Sequence, residues 1–186
     1  VVYTLADGDT TLYAQWKQVH IITYDANSDY ISPKTVEDTH DAGDTNKYQL
    51  NPNAFQYEGY KLISWIDDSD NSGNTVYGPA DLIVITSDLN IHAKWVREIT
   101  FHANNGIDPE ATDKQTIPVS STEALKLNGF TNNGKTFVGW STQPVDTTIK
   151  YVDGESVAIT GDNTKDVDVN LYAQWGNTCT IHFDHD

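Results

Sequence analysis

The sequence predicts an α+β protein, mostly β, built as tandem copies of one small module. Three observations carry that prediction. The same short phrases return at a fixed spacing, the phrases themselves alternate apolar and polar residues, and one stretch of the module has helix-boundary spacing.

The repeat is read from its closing phrase. Leu12-Tyr13-Ala14-Gln15-Trp16 returns as Leu171-Tyr172-Ala173-Gln174-Trp175, with the variant Ile91-His92-Ala93-Lys94-Trp95 between them. Trp16 and Trp95 lie 79 residues apart, and Trp95 and Trp175 lie 80 apart. An opening phrase follows each close. Ile22-Thr23-Tyr24-Asp25-Ala26-Asn27 matches Ile99-Thr100-Phe101-His102-Ala103-Asn104, and a third copy starts at Ile181-His182-Phe183-Asp184. A central phrase aligns without a gap: Leu50, Phe55, Gly59, Leu62, Ile63 and Trp65 match Leu125, Phe130, Gly134, Phe137, Val138 and Trp140. All five tryptophans fall on equivalent positions. The organisation that follows is the closing strand of a preceding copy over residues 1–16 and a first module over 17–95. A second module spans 96–175, and the opening strand of a further copy spans 176–186.

Each element has its own reason. Leu171, Ala173 and Trp175 share one face of a period-2 strand, and so do Ile99 and Phe101. Residues 114–119 read as a second strand, on an edge because Pro118 cannot donate to a ladder. From Ser120 to Gly129 a short helix is expected: Ser120 and Glu123 have capping-box spacing, and Asn128-Gly129 is a stop signal. Its counterpart over 45–51 is a poorer helix that ends at Pro52. Residues 61–66 and 136–141 read as strands, and Tyr77 or Tyr151 opens the return to the closing strand. Trp65 and Trp140 lie inside apolar runs and are expected in the core.

Composition limits what such a chain can do. With 38% hydrophobic residues it can pack a core, and its 27 acidic against 11 basic residues give a formal charge of −16. A surface so acidic repels phosphate backbones and anionic lipid, so neither nucleic acid nor membrane insertion by this segment is expected. Cys179 is the only cysteine, so no internal disulfide framework exists. It aligns with His20 and Arg97, which makes it no feature of the repeat.

The three phrases in order resemble the Listeria–Bacteroides repeat, also called the internalin B-repeat. The opening motif lies at residues 99–106, the centre at Gly134 to Trp140 and the close at Leu171 to Trp175. The first copy departs from the pattern with Ser64 before Trp65 and Asp29 where Gly106 stands. The resemblance implies a β-grasp, ubiquitin-like fold. It also implies a place in secreted or wall-attached proteins of the bacterial surface, Gram-positive bacteria included, where such repeats stand in tandem and are linked to adhesion. No catalytic residue comes with it, and Phe101, Gly134, Phe137, Trp140 and Trp175 are expected to be structural.

Candidate sites are few. The stretch from Asp67 to Asn74 has oxygen ligands at alternating positions and a glycine, as a calcium loop does. Pro79 stands where the bidentate glutamate would be, so a solvated hairpin is the expected reading and cation binding the alternative. The six histidines, His20, His40, His92, His102, His182 and His185, have no metal-ligand spacing and read as surface polar groups. No nucleophile motif or phosphate loop is present, so no catalytic, cofactor or metal residue is assigned and no enzyme is expected. Tyr3, Tyr13 and Tyr172 are the candidates for exposed contacts. The expected function is a non-catalytic stalk, spacer or adhesive array. Its partners would be the neighbouring repeats and a host or cell-surface protein or glycan, and the alternative is a glycan-binding module. The short connections between copies predict stiff coupling.

Overall fold

Alternation along the chain produces strands wherever one face can be buried, and the computed structural model shows twelve of them among the described residues. The structure describes residues 13–69, 75–108, 111–145 and 148–177. The first repeat contributes β1 (Val19–Asp25), β2 (Thr35–Asp41), β3 (Tyr48–Gln49), β4 (Tyr60–Asp67), β5 (Val76–Tyr77) and β6 (Leu82–Ile83). The next strand, β7 (Leu89–His102), runs without a break from the close of the first repeat into the opening of the second. The second repeat adds β8 (Thr112–Pro118), β9 (Ser121–Ala124), β10 (Lys135–Ser141), β11 (Ser156–Ile159) and β12 (Asn170–Asn177).

Each repeat builds the same half-sheet around β7. In the first, β1 lies parallel to the Leu89 end of β7 with β2 antiparallel beyond it, and β4 pairs antiparallel on the other edge. In the second, β12 lies parallel to the His102 end with β10 antiparallel beyond it, and β8 pairs antiparallel. As expected for a strand ending in proline, β8 is an edge, and among the described residues it pairs with β7 alone. Val96 faces Lys61 of β4 and Pro118 of β8, so the middle of β7 is paired on both edges.

The expected helix is absent, and with it the α+β class and the β-grasp architecture, which needs a helix laid across the sheet. Among the described residues the fold is all-β, with no helix. Ser121–Ala124 is instead β9, antiparallel to β11, and Tyr48–Gln49 pairs in the same way with β6. Competing hydrogen bonds explain the misreading. Ser120 adopts φ 64 and donates its N–H to the Ile159 carbonyl at 2.7 Å, so it does not cap a helix. The Ser121 hydroxyl turns back to the Pro118 carbonyl, and the Gln115 side chain accepts from Lys126 N–H and donates to the Ala124 carbonyl. Leu125 is buried while Leu127 is 69% exposed, so a helix here would have had no apolar stripe to bury. Asn128, read as a stop, accepts the Phe130 N–H in an Asx turn.

The short ladders take the place of the helix over the sheet. Leu50 and Ile85 close the first core, and Leu125, Val157 and Ile159 close the second. Trp65 and Trp140 sit at the centres, 0% and 1% exposed. Tyr24 meets Trp65 edge-on at 5.0 Å, and its counterpart Phe101 meets Trp140 at 4.8 Å. A second pair of bonds recurs and accounts for the opening and closing phrases. Asn27 and Asn104, both at positive φ, donate their side-chain amides to the carbonyls of Ala93 and Ala173. Trp95 and Trp175 return indole N–H bonds to the carbonyls of Ala26 and Ala103. The loop after each opening strand is thereby tied to the closing strand.

Of the strand expected over residues 1–16, only 13–16 are described. They form no strand, and Trp16 is 92% exposed. The opening strand expected over 176–186 lies outside the described residues from 178 onward.

Candidate functional site at the joint between the repeats

One residue breaks the apolar face of β7. Leu89, Ile91, Ala93, Trp95, Ile99 and Phe101 all point to the core side, and by the same parity so does Arg97. Arg97 is 3% exposed, and its guanidinium sits on the seam between the two cores. A buried cation needs acceptors. Nε donates to the Val167 carbonyl at 2.8 Å, and Nη1 donates to the Gly59 carbonyl and the Asn163 side-chain oxygen. The Tyr60 ring lies 4.9 Å beneath it. Gly59 belongs to the first repeat and Asn163 and Val167 to the second, so one side chain holds both.

Asp166 lies beside it, 6% exposed. Its carboxylate accepts the Thr160 N–H and hydroxyl and the Gly161 N–H, each at 2.8 Å, and the Tyr60 hydroxyl at 2.5 Å. Burial alone would raise this carboxyl, but those four bonds outweigh it and hold the group below the usual carboxylate range. Tyr60 is pushed well above the usual tyrosine range, first by burial and then by Asp166, so its hydroxyl remains a donor. The Tyr57 hydroxyl donates to the Gly161 carbonyl, and the Tyr57 ring stacks on Tyr60 at 4.2 Å. Val119 packs against both cores and gives its N–H to the Trp95 carbonyl.

A cleft of about 410 Å³ opens beside this joint, between the 25–34 loop of the first repeat and Ser120 and Thr160 of the second. Its carboxylates are engaged: Asp25 accepts the Asn27 N–H, and Asp29 pairs with Lys34 at 2.5 Å.

The two repeats differ where the joint forms. Ile85 and Ile159 are equivalent: the matched Leu50 and Leu125 give their N–H groups to the carbonyls of Asp81 and Glu155, Ile85 and Ile159 each lie four residues further on, and both are buried. Three residues separate Ile85 from Leu89, whereas nine separate Ile159 from Val169. The additional residues carry Gly161, Asn163 and Asp166. The sequence held two signals of this: an arginine at core parity between Trp95 and Ile99, and unequal lengths before the closing strands.

The acidic loop is placed only in part, because residues 70–74 lie outside the described residues. Asp67 is buried and accepts the Ser69 N–H at 2.7 Å and the Tyr77 hydroxyl at 3.1 Å. Asp68 pairs with His92 at 2.8 Å. No group of three His, Cys, Asp or Glu side chains among the described residues could hold a metal ion. Among the histidines, His40 departs from the surface reading. It is 9% exposed and set edge-on against Tyr48 at 5.6 Å. Tyr13 is 80% exposed, and Tyr172 stacks on His102 at 4.4 Å. Tyr3, Cys179, His182 and His185 lie outside the described residues.

Two copies of one fold, each closed by the same Asn–Ala and Trp–Ala bonds, are what a tandem repeat family requires. The model of the Listeria-Bacteroides repeat domain matches residues 20–94 and again 98–174. The chain belongs to this family. No curated protein matches the chain. The Listeria-Bacteroides repeats here meet at Val96 and Arg97, which lie with Trp95 between the two matched segments, and each repeat supplies its own residues to the joint around them.

Proposed function

We propose that this tandem-repeat segment is a non-catalytic, stiff spacer of a secreted or cell-surface bacterial protein, and that it carries an adhesive or interacting part at a fixed distance and direction. The observation that carries the reading is β7, an unbroken strand of 14 residues that belongs to both half-sheets. A flexible linker between domains needs residues free of both. None exists between Trp95 and Ile99, where Val96 is paired on both edges. The acidic surface supports an extended form, since neighbouring copies repel.

Spin labels at Lys47→Cys and Val152→Cys, in a chain with Cys179→Ser, test the stiffness. A single narrow distance is expected, and a broad distribution would overturn the spacer reading. Protease treatment of intact cells tests the location: release of peptides from this segment is expected, and full protection would refute a surface place.

A glycan-binding reading has one observation in its favour. The His102 and Tyr172 rings lie 14° from parallel on the outer face of the second half-sheet. Their counterparts in the first repeat, Asp25 and His92, offer no such aromatic pair. Loss of glycan-array signal on Tyr172→Ala would support it, and a blank array for the parent chain would dismiss it.

A further inference from the structure

The joint has two halves, and each half occurs in only one of the two complete repeats. On the first repeat, the receiving face is Tyr57, Gly59 and Tyr60. The equivalent residues of the second repeat are Asn132, Gly134 and Lys135. On the second repeat, the inserted half is the loop over 160–168, which in the first repeat shrinks to Thr86-Ser87-Asp88. The residue between the halves differs as well. Where Arg97 reaches into both repeats, the equivalent His20 faces its own repeat, with Nδ1 3.8 Å from Asp88.

We infer that the joint is an order-specific docking pair: a repeat carrying the long 160–168 loop docks on a neighbour presenting the Tyr57–Tyr60 pair, and does not dock on a copy of itself. The chemistry sets that selectivity. Asp166 needs a hydroxyl donor from the neighbour, and Tyr60 supplies it at 2.5 Å. Gly161 needs close approach, because an added Cβ would lie 2.7 Å from the Tyr57 hydroxyl. Arg97 needs an aromatic face and free carbonyls. A neighbour built like the second repeat would offer Asn132 and Lys135 instead. Lys135 would set a second cation beside the buried guanidinium with no ring beneath it, an uncompensated like-charge contact. Strand continuity removes a flexible linker, and the joint contacts fix the remaining twist and bend that a strand permits. The order of repeats in the array is therefore written into their joints.

This inference rests on the spacer reading, and the same labelled chain separates the two. The parent should give one narrow distance. Three variants alter the joint: deletion of residues 161–166, the pair Tyr57→Asn with Tyr60→Lys, and Gly161→Ala, which removes no core atom. In each the narrow peak should be lost to a broad one, while tryptophan emission still reports Trp65 and Trp140 in folded cores. Narrow peaks in the parent and in every folded variant would overturn the docking pair and leave the spacer standing. A broad parent would overturn the spacer itself. A variant that unfolds is set aside in favour of Gly161→Ala, whose unchanged distance overturns the inference by itself.

Discussion

Trp65 and Trp140 occupy the same place in the two repeats, yet among the described residues Trp65 alone of the two has a partner for its indole N–H, which reaches the Pro79 carbonyl at 3.2 Å. The Trp140 N–H is buried with no acceptor among the described residues. Both rings fill a core, so truncation of either to alanine should cost about 3–5 kcal/mol. Phenylalanine should separate them. Trp65→Phe loses a hydrogen bond and strands a carbonyl, whereas Trp140→Phe relieves an unpaired donor. The first is expected to cost about 1 kcal/mol more than the second. Urea midpoints of the two variants measure it, and equal losses would show that the N–H of Trp140 is satisfied in solution.

Gly139 and Ser64 are also equivalent, each beside the register shift in its hairpin. Gly139 stands at φ 152, and a Cβ there would lie 2.5 Å from the Ile149 side chain and 2.9 Å from the Tyr151 carbonyl. Ser64 fits its own bulge with an ordinary backbone. Gly139→Ser, which copies the first repeat into the second, should therefore destabilise by about 1–3 kcal/mol. The reverse change, Ser64→Gly, should cost about 1 kcal/mol or less. Comparable effects from the two swaps would mean that the bulges are interchangeable.

Calcium should have little effect on melting. The carboxylates of Asp67 and Asp68 are committed to Ser69, Tyr77 and His92, and a hard cation would have to displace those partners. Thermal scans with calcium and with chelator should agree within a few degrees. A large rise with calcium would make the 67–74 loop a cation site.

Much of the fold was legible because it rests on local alternation. Ile99, Phe101, Leu171 and Ala173 bury one face, and Pro118 marks an edge, as the sequence alone requires. The helix was misread because Ser120 and Glu123 meet a spacing rule that ignores what lies across space. Ile159 and Glu155 claim the N–H groups of Ser120 and Leu125 from 39 and 30 residues away, and Gln115 claims Ala124 and Lys126 from the preceding strand. With the helix gone, the β-grasp expectation fell as well. The joint was missed for a different reason. Arg97 entered only as a counterpart of Cys179, although its parity with Trp95 and Ile99 already put it in the interior. Loop length carried the rest, and an alignment by phrases passes over insertions.

Acid should loosen the joint through Asp166. Burial would raise its carboxyl, but bonds from Tyr60, Thr160 and Gly161 prevail and hold it below its ordinary value. A carboxyl depressed by folding contributes stability that is fully present above the unfolded value, about 3.9 for aspartate. That contribution fades as pH falls through the lower folded value. Tyr60 adds no competing titration there, since its own shift is upward. Asp168, likewise held low by Lys150 and Tyr151 against its burial, titrates in the same direction, so the parent's acid response is a composite. Variants isolate the joint. Tyr60→Phe removes one donor, which should raise the folded value of Asp166 and start the loss of stability at higher pH. Asp166→Asn should remove this group's share and flatten the profile below about pH 4. Melting temperature against pH for the three chains, with the Lys47–Val152 distance as a second readout, decides it. If Asp166→Asn keeps the full acid response of the parent in both readouts, the Asp166–Tyr60 bond is not what holds the repeats together at low pH.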